Sequence, residues 1–158
     1  MKRPSLPHWF SWAQDHALVT KFPLLYSQRH RLETSLRYGF QVQPGWYDLV
    51  LRTSEAIDRI IAEMPVSEQP HFFATQVRTK YTSLLIEMSE TTPMMERIIA
   101  HAAEVSTRLC ESCGAHVPPQ ASPNALYPPG LVYPPHGNDR EWRTRVCTDH
   151  FNLYSRGY

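Results

Sequence analysis

The stretch TPMMERIIAHAAEVSTRLCESCG, residues 92–114, decides the architecture, because it reads as a helix that starts on a cap and ends in a cysteine knuckle. Thr92 is an N-cap residue type, Pro93 suits the first helical position, and Glu96 places negative charge in the first turn. Met95, Ile98, Ile99, Ala102, Val105 and Leu109 then fall on one face at helical spacing. The helix runs straight into Cys110-Glu111-Ser112-Cys113-Gly114, a C-x2-C turn that aims two thiolates at one point, with Gly114 supplying backbone freedom after the second.

Downstream, Cys147-Thr148-Asp149-His150 repeats the spacing as C-x2-H and uses the last of the 3 cysteines. Cys110, Cys113, Cys147 and His150 make a Cys3His set, which Zn2+ binds tetrahedrally in structural sites. Three thiolates and an imidazole close the coordination sphere, so zinc is preferred to iron or copper, and such a site holds structure without doing chemistry. Ordinary thiols with a surface histidine are the plain alternative, and His116 or His136 could replace His150. A thioredoxin-like redox role fits poorly, since that knuckle follows a strand and opens a helix, whereas here a helix ends into it. Zinc binding on the order of 10 kcal/mol would then supply most of the folding free energy of the local module.

Upstream of this helix, Phe73, Thr75 and Val77 alternate with Ala74, Gln76 and Arg78, which predicts a strand, and Tyr81 to Met88 supplies its hairpin partner. The turn between them, near Arg78 to Thr82, contains no Gly, Asn or Asp. Before the hairpin, Pro44-Gly45 punctuates the chain, and Trp46, Leu49, Val50, Thr53, Ile57, Ile60, Ile61 and Met64 mark an amphipathic helix that Pro65 stops. At the start of the chain, Trp9, Trp12, Ala13 and His16 have helical spacing, which predicts a short helix docked by its aromatics.

The other flank is different in character. Between Val117 and Pro135 lie 7 of the 14 prolines, a density that neither a helix nor a central strand tolerates, so 117–135 is expected to be an extended, polyproline-like spacer or recognition arm. Glu141 to Val146 then alternates as a short strand into Cys147, and Asp149 to Leu153 reads as a brief closing helix. The expected fold is therefore α+β: a small helix and β-hairpin core with a C-terminal treble-clef-like or zinc-ribbon-like finger. The segments are 1–43, aromatic and basic; 44–109, helix-hairpin-helix; and 110–158, the finger, all within one compact domain, as a length of 158 residues suggests.

Composition narrows the function. With 42% apolar and 20% charged residues the chain is ordinary and globular, and its net charge of +1 excludes the global basic field of an avid nucleic-acid binder. Charge is nonetheless polarised, with six Lys/Arg against two acidic residues in 1–43 and two against five in 44–68. Any polyanion contact is therefore local. No apolar run approaches a membrane span and no leader-like segment follows Met1, so a soluble, cytoplasmic protein with no membrane partner is expected.

Several of these pieces stand in the order of a family of small proteins from tailed phages, prophages and their bacterial hosts. That pattern has a Gly-Trp opening a helix, a Gln-Val-Lys-Glu-Lys-Phe-Gly-x-Leu-Arg-Phe-like hairpin, a helix ending Cys-Glu-x-Cys-Gly, and a terminal Cys-x-x-His. This chain resembles it over roughly residues 40–150, through Gly45-Trp46, Gln76 to Leu84, Cys110 to Gly114 and Cys147 to His150. It departs at Thr79, where the pattern has glutamate, at Thr82, where the pattern has the turn glycine, and in the proline-rich insertion. The resemblance implies a mobile-element setting, acting in the host cytoplasm, and no particular activity.

Motifs for catalysis are missing from the sequence: there is no Gly-x-Ser-x-Gly elbow, phosphate-binding glycine loop or His-Glu-x-x-His. The expected function is a non-enzymatic, zinc-stabilised protein-binding module, in the phage setting an accessory protein that modulates or inhibits a host protein, including one of a defence system. Tyr127, Leu131 and Tyr133 in the proline-rich loop and Trp9 and Trp12 near the N-terminus are its candidate contacts. The first alternative is a nucleic-acid-binding finger using Arg29, Arg31, Arg37, Arg143 and Arg145. The second is a divergent treble-clef nuclease, for which His136, Asn138, His150 and Asn152 offer the residue types without the expected placement.

Overall fold

The computed structural model describes residues 9–117 and, as backbone, the short segments 131–132 and 144–145. Pro44–Trp46 forms a 3-10 turn that passes directly into helix α2 (Tyr47–Glu63), whose Val50, Thr53, Ser54, Ile57 and Ile61 are buried. The chain leaves α2 at Met64, in extended conformation ahead of Pro65, where that proline cannot continue a helix.

Helix α1 (Trp12–Lys21) opens on a capping box: the Ser11 hydroxyl accepts from the Gln14 amide at 3.2 Å, and the Gln14 side chain accepts from the Ser11 amide at 3.0 Å. Its register differs from the aromatic docking face expected at Trp9, Trp12, Ala13 and His16. Because the helix starts only at Trp12, Leu18 is its buried residue, and Trp12 is 79% exposed. The aromatic that enters the core is Phe10, ahead of the cap, packed against Phe40 and Tyr47. After α1, turns over 23–34 and a 3-10 turn at Ser35–Tyr38 carry Leu25, Tyr26 and Leu36 inward. The Leu25 amide donates to Asp58 on α2 at 2.9 Å, and the buried Tyr26 hydroxyl lies 2.6 Å from the Ser54 hydroxyl. Burial pushes the Tyr26 phenol far above its ordinary range, against the opposing pull of the Ser54 hydrogen bond, so it stays neutral.

Strands β1 (Ala74–Lys80) and β2 (Ser83–Met88) form the expected antiparallel hairpin, with Val77 opposite Ile86 and Lys80 opposite Ser83. A bulge between Ala74 and Gln76 interrupts the register. The simple alternation therefore fails: Ala74, Val77 and Thr79 are buried together, where strict period two would separate Ala74 from the others. The turn is made by Tyr81 (φ 50°) and Thr82 (φ 67°), both in the left-handed region that two-residue hairpin turns require. Thr82 thus adopts the conformation that glycine would take freely at the position where the phage-associated pattern has glycine. Outside the hairpin, Gln41 bridges to Arg78 in parallel, its amide donating to Val77 O at 2.9 Å and its carbonyl accepting from Thr79 at 3.1 Å.

Helix α3 (Pro93–Ser106) is capped as expected, with the Thr92 hydroxyl accepting from the Met95 amide at 3.3 Å. It packs on α2 and β2, burying Met95, Ala102 and Ser106. The Ser106 hydroxyl accepts from the Leu84 amide at 2.8 Å. Contrary to the expectation that the helix runs straight into Cys110, it ends at Ser106, and turn residues with a bridge at Leu109 intervene. Buried residues of 10–42 and of 46–102 belong to one core, so the N-terminal segment is part of the same packing unit as the helix-hairpin-helix region.

The described elements are thus an α+β fold of helices with two-stranded antiparallel sheets. The second sheet pairs β3 (Leu131–Val132) with β4 (Thr144–Arg145), Leu131 opposite Arg145. The proline-rich stretch therefore contains a two-residue strand, and the expected strand 141–146 is seen as Thr144–Arg145. The remainder of 118–158, with the expected helix at 149–153, lies outside the described residues. No described helix is long and apolar enough to cross a membrane.

Candidate functional site

The cysteine knuckle is a closed turn. The Gly114 amide donates to Cys110 O at 2.8 Å, the Cys110 amide to Ala115 O at 2.7 Å, and the Val117 amide to Arg108 O at 2.8 Å, while Leu109 and His116 pair as an antiparallel bridge. Gly114, at φ 77°, supplies the left-handed residue expected of it. Cys110 is buried and Cys113 exposed.

What the sequence does not disclose is how the knuckle is fastened. The Gly45 amide donates to Glu111 O at 2.7 Å, and a Cβ at Gly45 would overlap the carbonyl oxygens of Cys110 and Glu111 and the amide of Gly114. Only glycine lets the two backbones approach this closely. The Glu111 side chain is fully buried, its carboxylate accepting from the Gln43 amide at 3.2 Å and from the Thr79 hydroxyl. Ser112 donates to the Gln43 side chain at 2.7 Å, and the buried Trp46 indole donates to Leu109 O at 3.1 Å. The Gly-Trp, hairpin and knuckle motifs therefore meet at one point, joined by Glu111. The glutamate in the Cys-Glu-x-Cys-Gly pattern is the one signal in the sequence that hints at this.

Of the expected metal ligands, Cys110 and Cys113 are described, and Cys147 and His150 lie outside the described residues. Among the described residues no three of His, Cys, Asp or Glu are grouped to hold a metal. His116 is beside the knuckle with Nδ1 at 2.8 Å from Arg108 O. A carbonyl only accepts, so Nδ1 carries the proton and, in the neutral ring, Nε2 the lone pair. The residue types fit zinc: two cysteines, one buried and one at the surface, at the ends of a turn hydrogen-bonded to Gly45, Gln43 and Thr79 in the core.

A second feature gathers residues singled out from the sequence for two different reasons. Trp9, Trp12, Arg29 and Arg37 all line one groove of about 320 Å³, together with His16, His30 and Tyr38. Trp12 stacks on His16, ring centroids 5.0 Å apart and planes 8° from parallel, and the Arg37 guanidinium lies 4.4 Å from the Tyr38 ring centre. Arg29 is committed inside the protein: it pairs with Asp15 at 2.8 Å and donates to Leu36 O, with its side chain only 13% exposed. That corrects its assignment as an outward phosphate contact, leaving Arg31 and Arg37 exposed. Tyr127, Tyr133, Arg143 and the nuclease candidates His136, Asn138 and Asn152 lie outside the described residues, while Leu131 and Arg145 are opposed in the β3–β4 pair. Comparison with known proteins gives no match to any family model, curated protein or solved structure.

Proposed function

We propose that the chain is a non-enzymatic binding module whose C-terminal part is stapled by Zn2+ through Cys110, Cys113, Cys147 and His150, in a treble-clef-like or ribbon-like finger. The observation that supports it most is the knuckle itself, in which Gly45, Glu111 and Trp46 fasten a C-x2-C turn against the core. Such preorganisation lowers the ordering cost of ligation and leaves only the C-terminal ligand pair to be recruited. A closed Cys3His sphere has no open position for substrate, so the working part of the molecule is its surface. The resemblance to phage-associated proteins favours a host component as what that surface meets.

Metal analysis of the purified chain is expected to find one equivalent of zinc, and cobalt substitution to give the absorption of a tetrahedral thiolate site. Cys147→Ser should lower zinc affinity by at least about a hundredfold while leaving residues 9–117 folded, because the hydrogen bonds that fasten the knuckle to Gln43, Gly45 and Thr79 involve neither Cys147 nor His150. A chain that purifies without zinc, or a Cys147→Ser variant with unchanged affinity, refutes the staple.

A further inference from the structure

We infer that the groove between α1 and the Ser35–Tyr38 turn is a binding site for single-stranded nucleic acid, with a base stacked on Trp12 and the adjoining phosphate against Arg37. Its volume, about 320 Å³, is at the lower end of small-ligand sites and suits about one nucleotide unit at a time. Trp12 and Tyr38 are 79% and 68% exposed, yet neither ring stands alone. Trp12 is backed by His16, and Tyr38 by Arg37. Rings held in this way are stacking platforms that lose little freedom when a base joins them.

Charge in the groove points to the same ligand. The lining cations are Arg37 and Arg29, with the imidazole rings of His16 and His30 beside them. Among the described residues the one lining carboxylate, Asp15, is paired with Arg29 at 2.8 Å. Among the described lining residues Arg37, which donates to the Tyr38 hydroxyl, is the cation that faces no carboxylate, in a segment whose Lys/Arg outnumber its acids. Trp9, Phe10, Val19 and Phe40 add apolar surface to the lining, and the two exposed rings, Trp12 and Tyr38, are paired with His16 and Arg37, so aromatic and cationic groups alternate as stacked bases and phosphates require. A duplex would offer its phosphates and keep its bases stacked away from Trp12, so the aromatic half of the groove selects unpaired bases.

The test is fluorescence anisotropy with a labelled single-stranded oligothymidylate of about ten nucleotides. The parent protein is expected to bind it saturably at low salt, with affinity falling as salt rises. Trp12→Ala should weaken binding about tenfold, and Arg37→Gln should weaken it and reduce the salt slope by about one. Arg59→Gln makes the same charge change on exposed α2 and should stay within about twofold. Since Trp12 and Arg37 are surface residues, circular dichroism of these variants should match the parent. Absence of saturable binding, parent-like binding by Trp12→Ala, an equal loss from Arg59→Gln, or equal affinity for the duplex each overturns the inference. It rests on reading the chain as a binder and is independent of the metal: a chain that loads zinc but ignores the oligonucleotide loses the groove alone, and one that binds the oligonucleotide without zinc loses the staple alone.

Discussion

Two tight turns in this molecule are made from opposite chemistry. The knuckle turn has glycine where a left-handed residue is needed, Gly114 at φ 77°, and its outer side is fastened by Gly45, Glu111 and Trp46. The hairpin turn has Tyr81 and Thr82 at φ 50° and 67°, where a bulky and a β-branched residue are both disfavoured, and Tyr81 stands 61% exposed at its tip. One turn is suited to its conformation and serves as a docking surface. The other holds two residues ill-suited to their conformation, Thr82 buried and Tyr81 exposed. A turn's tolerance of change should therefore follow what is packed on it, and not how well its residues suit it.

The sharpest way to break that contrast is Gly45→Ala. The added methyl group meets backbone on three sides, so it is expected to destabilise the protein by about 3 kcal/mol, read as a lower midpoint in urea unfolding. Next is Glu111→Ala, which removes the buried acceptor shared by Gln43 and Thr79; about 2 kcal/mol should be lost, and Glu111→Gln, which keeps an acceptor oxygen, should recover part of it. Gly114→Ala forces a methyl group into a left-handed residue and to within 2.9 Å of Gly45 O, for a loss of about 1–2 kcal/mol. The smallest effect has the opposite sign. Tyr81→Asn suits the left-handed position and is expected to raise stability by about 0.5 kcal/mol in the same assay. A hairpin substitution that cost more than Gly45→Ala would reverse the comparison.

These sites also mark where sequence reasoning stops. The cap at Thr92-Pro93, the apolar stripe of α2 and the stop at Pro65 were legible because each is written in neighbouring residues and needs nothing from elsewhere in the chain. The pairing of 74–80 with 83–88 was legible from β-propensity, but the bulge at Ala74/Gln76 was not, since it arises from packing across the sheet. Helical spacing at Trp9, Trp12 and His16 misled, because spacing cannot say that a cap at Ser11 starts the helix after Trp9 and turns Trp12 outward. For the knuckle, the Cys-x2-Cys turn and Gly114 were readable. Its attachment to Gln43, Gly45 and Thr79 was not, because a buried carboxylate that joins residues 32 and 68 positions away leaves no periodic trace.

The small sheet has one more consequence, for solubility. A two-stranded hairpin exposes two rows of backbone donors and acceptors, the kind of edge on which other chains nucleate aggregates. Here one rim is occupied at its middle by Gln41, bonded to Val77 and Thr79, and the other is met by the Ser106 hydroxyl at Leu84. Both rims are thus blunted by the chain's own segments. A lesion that loosens residues 41–46 would therefore reopen an adhesive edge as well as weaken the fold, and such variants should be lost to precipitation at temperatures where the intact protein stays dispersed.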